Sequence, residues 1–353
     1  MKNRRGFLTQ SAALAGLAAS TGIISFNDSF KKGVNQKSKQ KIIGQGDFTY
    51  NLDRHWGDQD PSKYPVHHCH EMVMDRSGRL IMTTTDIRNN ILIYNKDGKI
   101  LDSWTGNWPS AHGLTIHNEG GEEFLYVTDP EVKFEVCKTT LDGKKLLTIK
   151  YPKEAEIYDS EDQFRPTETA ISENGDIYVA DGYGKSYIIV YDSNGKYKFH
   201  FGGKGDGDGH FDCPHGLIVD TRGDKKPELI ITSRSKNEFK RFTMEGEHLE
   251  TIRMPGYFMC RPVIRNDELY FAILATETWW AYDGMVAVFN KENKLISLPG
   301  SDHLPDYTDG VVDKPRYDGS FLNPHDVCID NDGNIYVPQW YSGKTYPFRL
   351  ERV

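Results

Sequence analysis

After residue 45 the chain alternates short apolar stretches with polar turns, and the alternation repeats. The clearest units are TAISENGDIYVAD (169–181), VCIDNDGNIYVPQW (327–340) and MVMDRSGRLIMTTTD (72–86). LTIHNEGGEEFLYVTD (114–129) and LIVDTRGDKKPELIITS (217–233) are further copies, and PVIRNDELYFAIL (262–274) is a worn one without the glycine. A third stretch and a second turn follow several units, as in ILIYNKDGKIL (91–101) and IIVYDSNGKYKFHF (188–201). Apolar residues at every second position, or in short runs between Asn-Gly and Asp-Gly turns, predict strands and hairpins. Helical periodicity is almost absent from this part of the chain.

The repeat has a phase. His70, His112, His215 and His325 each stand five residues before the same turn position, and Thr167 and Val263 take that place in the other two copies. The steps between these markers are 42, 55, 48, 48 and 62 residues. A β-rich unit of roughly 40–50 residues is a propeller blade. The prediction is therefore an all-β, six-bladed β-propeller over residues 46–353; a linear β-solenoid would have shorter periods. No linker divides this region. The long last step contains SDHLPDYTDGVVDKPRYDGSF (301–321), either a loop placed to cover the axis or an ordinary surface excursion. Histidines locked to one phase converge where blades meet, and neutral imidazole is the commonest protein ligand for zinc. His70, His112, His215 and His325 are thus candidate ligands of Zn2+ or another divalent transition metal.

The N-terminus, MKNRRGFLTQSAALAGLAAS, has a basic start, a short apolar run and then small residues. Residues 1–29 read as an export signal, too short for a stable membrane span, and Arg4-Arg5 resembles a twin-arginine signal. Residues 30–45 read as a polar tether. The expected location is periplasmic or secreted, with no membrane span in the mature form. The net charge of −8 and the lack of a basic stripe exclude nucleic acid as a partner. The expected partner is a small-molecule or saccharide substrate, and the expected state a monomer. Five cysteines without tight spacing give no disulfide framework. Cys69 and Cys213, close to phase histidines, read as small buried strand residues more readily than as ligands.

Residues 165–244 carry a more specific likeness. Asp181-Gly182-Tyr183, the turn Ser193-Asn194-Gly195-Lys196, the Gly-rich loop 202–209 and Pro214-His215-Gly216 resemble the core of peptidylglycine α-hydroxyglycine α-amidating lyases, propellers of the NHL-repeat type. Asn323-Pro324-His325-Asp326 is similar to that family's last blade. The resemblance implies a zinc ion on His112, His215 and His325, a general base at Tyr183, an arginine at Arg234, and a Ca2+ ion near the axis held largely by carbonyl oxygens. Two departures point to a different substrate. Thr85 stands where the family has a second arginine, with Arg88 nearby in another register. His70 fills a phase position the family leaves without histidine, and His68 would face the same way as His70 along a strand. His70 is then either a fourth ligand or a substrate-binding or proton-transfer residue, and Glu168 is a further candidate acid, base or ligand.

A tyrosine with an ordinary pKa near 10 is a weak base at neutral pH, and a nearby cation and arginine favour its phenolate. The expected function is an exported, metal-dependent lyase. The alternatives are a metal-dependent enzyme acting on acidic or modified sugars, and a non-catalytic binding propeller. Trp279-Trp280, Trp340-Tyr341 and Trp104/Trp108 could stack sugar rings at the channel mouth or simply pack between blades.

Overall fold

The computed structural model describes residues 41–223 and 225–353. The export signal and most of the tether lie outside the described residues. Five blades are four-stranded antiparallel meanders. Their innermost strands are Cys69–Met74, Leu114–Glu119, Glu168–Ile171, Pro214–Asp220 and Met259–Arg265, for blades 1 to 5 in that order. Blade 6 is composite: Cys328–Ile329, Ile335–Val337 and Phe348–Arg352 come from the end of the chain, Phe48–Asp53 and Ile42–Gln45 from its beginning. The ring closes where Tyr50 pairs with Arg352 and Asp53 with Arg349. The last residues assigned to the tether, Ile42–Gln45, are therefore an outer strand of this blade.

The apolar runs are explained by where each face goes. Side chains alternate across a strand. In Leu80–Thr84, Leu80 and Met82 enter the gap towards blade 6, while Ile81 enters the gap towards blade 2. Both faces are buried, so the strand reads as a continuous apolar run rather than an alternation. Six hydrophobic clusters result, one in each interblade gap. Trp108 is fully buried in the gap between blades 1 and 2, with Trp104 packed beside it, so this pair belongs to the core and not to the channel mouth.

The segment 301–321 forms a small hairpin, Tyr307–Thr308 with Val311–Val312. It is fastened to the periphery: Lys41 Nζ donates to the carbonyl of Asp318, and Arg54 Nε to that of Ser320. None of its residues lines the axial cavity, so it is a surface excursion. Among the described residues no helix is long and apolar enough to cross a membrane.

Candidate metal centre and active site

The inner strands do more than alternate near the axis. In blades 1, 4 and 5 the ladder slips at His70-Glu71, His215-Gly216 and Cys260-Arg261. Such a bulge lets two consecutive residues turn towards one side. Aligning the strands by their registers gives two successive axial layers. The first is His70, His112, Thr167, His215, Cys260 and His325; the second is Glu71, Gly113, Glu168, Gly216, Arg261 and Asp326. Blade 5 therefore presents Cys260 at the histidine phase, not Val263. Its hairpin turns on Asn266-Asp267 without a glycine, so counting back by the repeat's spacing stops at Val263, three residues short of Cys260.

The first layer brings together all four phase histidines. Ring centroids lie 4.5 Å apart for His70–His112, 4.6 Å for His70–His325, 4.8 Å for His112–His215 and 4.9 Å for His215–His325. All are buried. His112 Nδ1 donates to the carbonyl of Thr167 at 2.9 Å, and His325 Nδ1 to that of His70 at 3.2 Å. These bonds fix both tautomers and leave each Nε2 unprotonated, as a metal ligand requires; His112 Nε2 lies 3.1 Å from His215 Nε2. Burial foremost, with Arg234 and the neighbouring imidazoles, lowers all four pKa values, to about 3 for His112. The rings are neutral at physiological pH. Two donor groups converge, His70 with His112 and His325, and His215 with Cys260 and His325; within each, ligand atoms lie within 4.8 Å of one another.

Tyr183 meets this layer from above. Its hydroxyl is 3.0 Å from His112 Nε2 and 3.1 Å from His215 Nε2, and it accepts from Arg234 Nη2 at 3.1 Å. The loop that carries it needs glycine at 182, because a Cβ there would sit 2.5 Å from the carbonyl oxygen of Pro214. Asp181 ties the loop down by accepting from the backbone N–H of Arg165 and Lys185. Burial pushes the Tyr183 phenol upward in pKa; the Arg234 guanidinium opposes this without overcoming it. Arg234 begins a short 3-10 turn after strand Glu228–Ser233, stacks over Trp279 at 4.8 Å, and is buried with Nε and Nη1 unpartnered.

Above these groups opens a cavity of about 670 Å³. Its rim includes Trp280 and Tyr341, 58% and 42% exposed, with ring centroids 4.8 Å apart. His68 lines it, stacked on Tyr341, and so does Thr85, bonded to His67. Arg88 does not; it is exposed and paired with Asp86. Arg165, Glu131 and Cys213 also line the cavity, whereas Cys69 is buried in the core between blades 6 and 1.

Glu168 lies in the second layer and outside this cavity, fully buried, accepting from Thr115 Oγ1 and the Thr169 N–H. It cannot touch a substrate there. It belongs to a buried charge cluster with Glu71, Asp326 and Arg261. The Arg261 guanidinium bonds both Asp326 oxygens, at 3.1 and 2.6 Å, and the carbonyls of Leu114 and Met72, each at 3.1 Å. Glu71 and Glu168 stand 3.6 and 3.7 Å from it. Burial, and then Glu168, hold the Glu71 carboxyl well above the usual range. The sequence singled out Glu168 but not Cys260, Glu71, Arg261 or Asp326; the only signal for them was the pair of positions at and just after the phase marker.

The fold and axial site define a closed propeller with a histidine-lined centre. The chain belongs to the family DUF5128, 6-bladed beta-propeller, whose model matches residues 168–348. Over 106 residues it is 33% identical to a probable peptidyl-alpha-hydroxyglycine alpha-amidating lyase of Caenorhabditis elegans, covering 30% of this chain and 29% of that one. Over 327 residues it is 24% identical to peptidyl-glycine alpha-amidating monooxygenase A of Xenopus laevis, covering 89% of this chain and 31% of the relative. The chain thus spans less than a third of the length of these relatives. Among solved structures, virginiamycin B lyase from Staphylococcus aureus superposes with a TM-score of 0.51 at 15% identity, over 89% of this chain and 99% of the other. A gluconolactonase from Xanthomonas campestris gives 0.54 at 12%, over 81% and 86%. These two likenesses are of fold.

Proposed function

We propose that this protein is an exported, metal-dependent lyase that breaks a carbon–heteroatom bond by deprotonating a substrate hydroxyl. The observation that carries the reading is the Tyr183 hydroxyl, within 3.1 Å of two histidine Nε2 atoms and an arginine at the floor of a cavity. The donor set fits a borderline transition metal such as zinc, held by His112, His215 and His325, with His70 beside them as either a fourth ligand or a substrate-binding or proton-transfer residue. When bound, that ion supplies Lewis acidity to a substrate oxygen and favours the phenolate. Tyr183 takes the hydroxyl proton, the carbon–oxygen bond gains double-bond character, the carbon–nitrogen or carbon–oxygen bond to the leaving group breaks, and the leaving group takes a proton. Among the described residues Arg234 has no carboxylate partner, and its buried Nε and Nη1 are unpartnered, so it suits an anionic group on the substrate or developing charge in the transition state. His68 and the absence of arginine at Thr85 argue for a substrate other than a peptidyl α-hydroxyglycine.

Calcium does not fit the axis. It takes oxygen ligands. The axial oxygens of Asp326, Met72 and Leu114 are already bonded by the Arg261 guanidinium, and the Glu71 and Glu168 carboxyls stand 3.6 and 3.7 Å from the same cation. The axial cation belongs to the chain itself.

A second substrate class, an acidic or modified sugar, is favoured by the exposed Trp280 and Tyr341 rings at the rim, which suit stacking on a pyranose face. Metal analysis of purified protein tests the centre: close to one equivalent is expected, lost on His112→Ala with His215→Ala. A metal-free protein that still binds glycan would replace the enzyme reading by a binding propeller. Release of a glyoxylate-type product against an unsaturated sugar decides between the substrate classes.

A further inference from the structure

The first axial layer has one member that the metal reading has not used. Cys260 replaces histidine in blade 5, in the bulge that turns its neighbour Arg261 towards the axis. Its sulfur and the ring nitrogens of His215 and His325 lie within 4.8 Å of one another, and all three residues are buried. His215 Nδ1 has no hydrogen-bond partner, so the ring is not tied to a carbonyl as His112 and His325 are. Its Nε2 lies 3.1 Å from both Tyr183 Oη and His112 Nε2, within the donor cluster. Blade 3 contributes Thr167, whose hydroxyl contacts the carbonyls of Ala180 and Pro214, so that position is taken up by the backbone.

We propose that Cys260 is a thiolate ligand of the axial metal, completing a mixed nitrogen–sulfur set with His215 and His325. The inference rests on the metal reading above. It makes the centre softer than four imidazoles alone, and it selects zinc, cobalt or copper over manganese, magnesium or calcium. On binding, the sulfur–metal bond forms and the thiol proton leaves to solvent; no electron is transferred. Two donor groups share His325, so an ion bound to Cys260 and His215 leaves His70 on the far side, free to face the cavity. This deepens the earlier question about His70: it becomes a substrate or proton-transfer residue rather than a ligand.

The test is cobalt substitution of the full chain, read by absorption. Cobalt should give visible ligand-field bands and, with a thiolate bound, a near-ultraviolet sulfur-to-cobalt charge-transfer band. Cys260→Ser and Cys260→Ala should lose the charge-transfer band and keep the ligand-field bands. Cys213→Ala should keep both, which excludes the other thiol beside the site. Ligand-field bands without charge transfer in the unaltered protein would overturn the proposal and leave the histidine centre standing. Survival of the charge-transfer band in Cys260→Ala would overturn it as well. Absence of all cobalt bands would sink the metal reading and this inference with it. The measurement on the unaltered chain decides the matter even where a Cys260 variant fails to fold.

Discussion

The residue that concentrates the chemistry is Tyr183. Its hydroxyl is held by three polar neighbours rather than by packing alone. Tyr183→Phe removes one oxygen, so fold and metal content should persist while turnover falls by roughly 10²-fold or more, in line with general acid–base contributions. Unchanged turnover would pass the proton-transfer role to His70. The histidines make a second prediction. Their folded pKa values lie below the unfolded value of 6.5, at about 3 for His112. Above pH 6.5 both states are neutral and nothing changes. Below it the unfolded chain gains protons that the folded chain refuses, so stability falls as pH drops towards the folded value, by up to about 1.4 kcal/mol per pH unit for each histidine. The melting temperature of metal-free protein should drop steeply between about pH 6.5 and 4, and His112→Gln should flatten that slope. Equal slopes would mean that His112 is protonated in the fold. At this scale the sequence showed four histidines because they shared a phase with a glycine-marked turn. It hid Cys260 because its own turn lacks the glycine. Glu168 lies outside the cavity because residues at and just after the marker belong to different layers, one facing the cavity and one sealed beneath it.

The working element is the bulged inner strand, which turns two consecutive side chains towards one axis. Gly216 follows His215 at such a bulge, and a Cβ there would lie 2.5 Å from the Cα of Arg261. Backbone cannot yield as a side chain can. Gly216→Ala should therefore cost about 1–3 kcal/mol through overpacking, seen as a lower melting temperature, and should loosen metal by displacing Arg261 and its neighbour Cys260. A melting temperature within a degree of the parent would show that blade 5 can move aside. Strands and hairpins were legible because strands such as Leu80–Thr84 are apolar on both faces and the turns carry Gly, Asn and Asp. The bulges were not, since His70-Glu71, His215-Gly216 and Cys260-Arg261 share no residue pattern that marks a slip in register. Nor was the place of segment 301–321. Its anchoring depends on Lys41 and Arg54, distant in sequence and indistinguishable there from any surface cation.

At the scale of the whole molecule the ring is the device that makes the site, because no blade owns it. The four histidines come from blades 1, 2, 4 and 6, and Arg261 of blade 5 ties Asp326 to the carbonyls of Met72 and Leu114. A guanidinium in that position leaves no role for calcium, so neither added calcium nor a calcium chelator should shift the melting temperature. A calcium-dependent rise of several degrees would place an ion elsewhere in the fold. The closed ring and its six copies were visible from the repeat period alone. The composite sixth blade was not, since Phe48–Asp53 resembles any strand and its partner lies at the other end of the chain. That pairing carries a last consequence. Tyr50 and Phe48 pack with Phe348, Leu350 and Val337 in the gap between blades 5 and 6. Removing residues 41–53 deletes no ligand and no cavity residue, yet it uncovers the edge of Phe348–Arg352 and frees blade 6 from its neighbour. His325 would then lose its fixed distance to His70, His112 and His215. The truncated chain should still show β structure by circular dichroism but lose its metal on dialysis against a mild chelator that leaves the parent loaded. If it keeps the metal, the axial contacts through Arg261 and Asp326 hold the ring closed without the strand pairing.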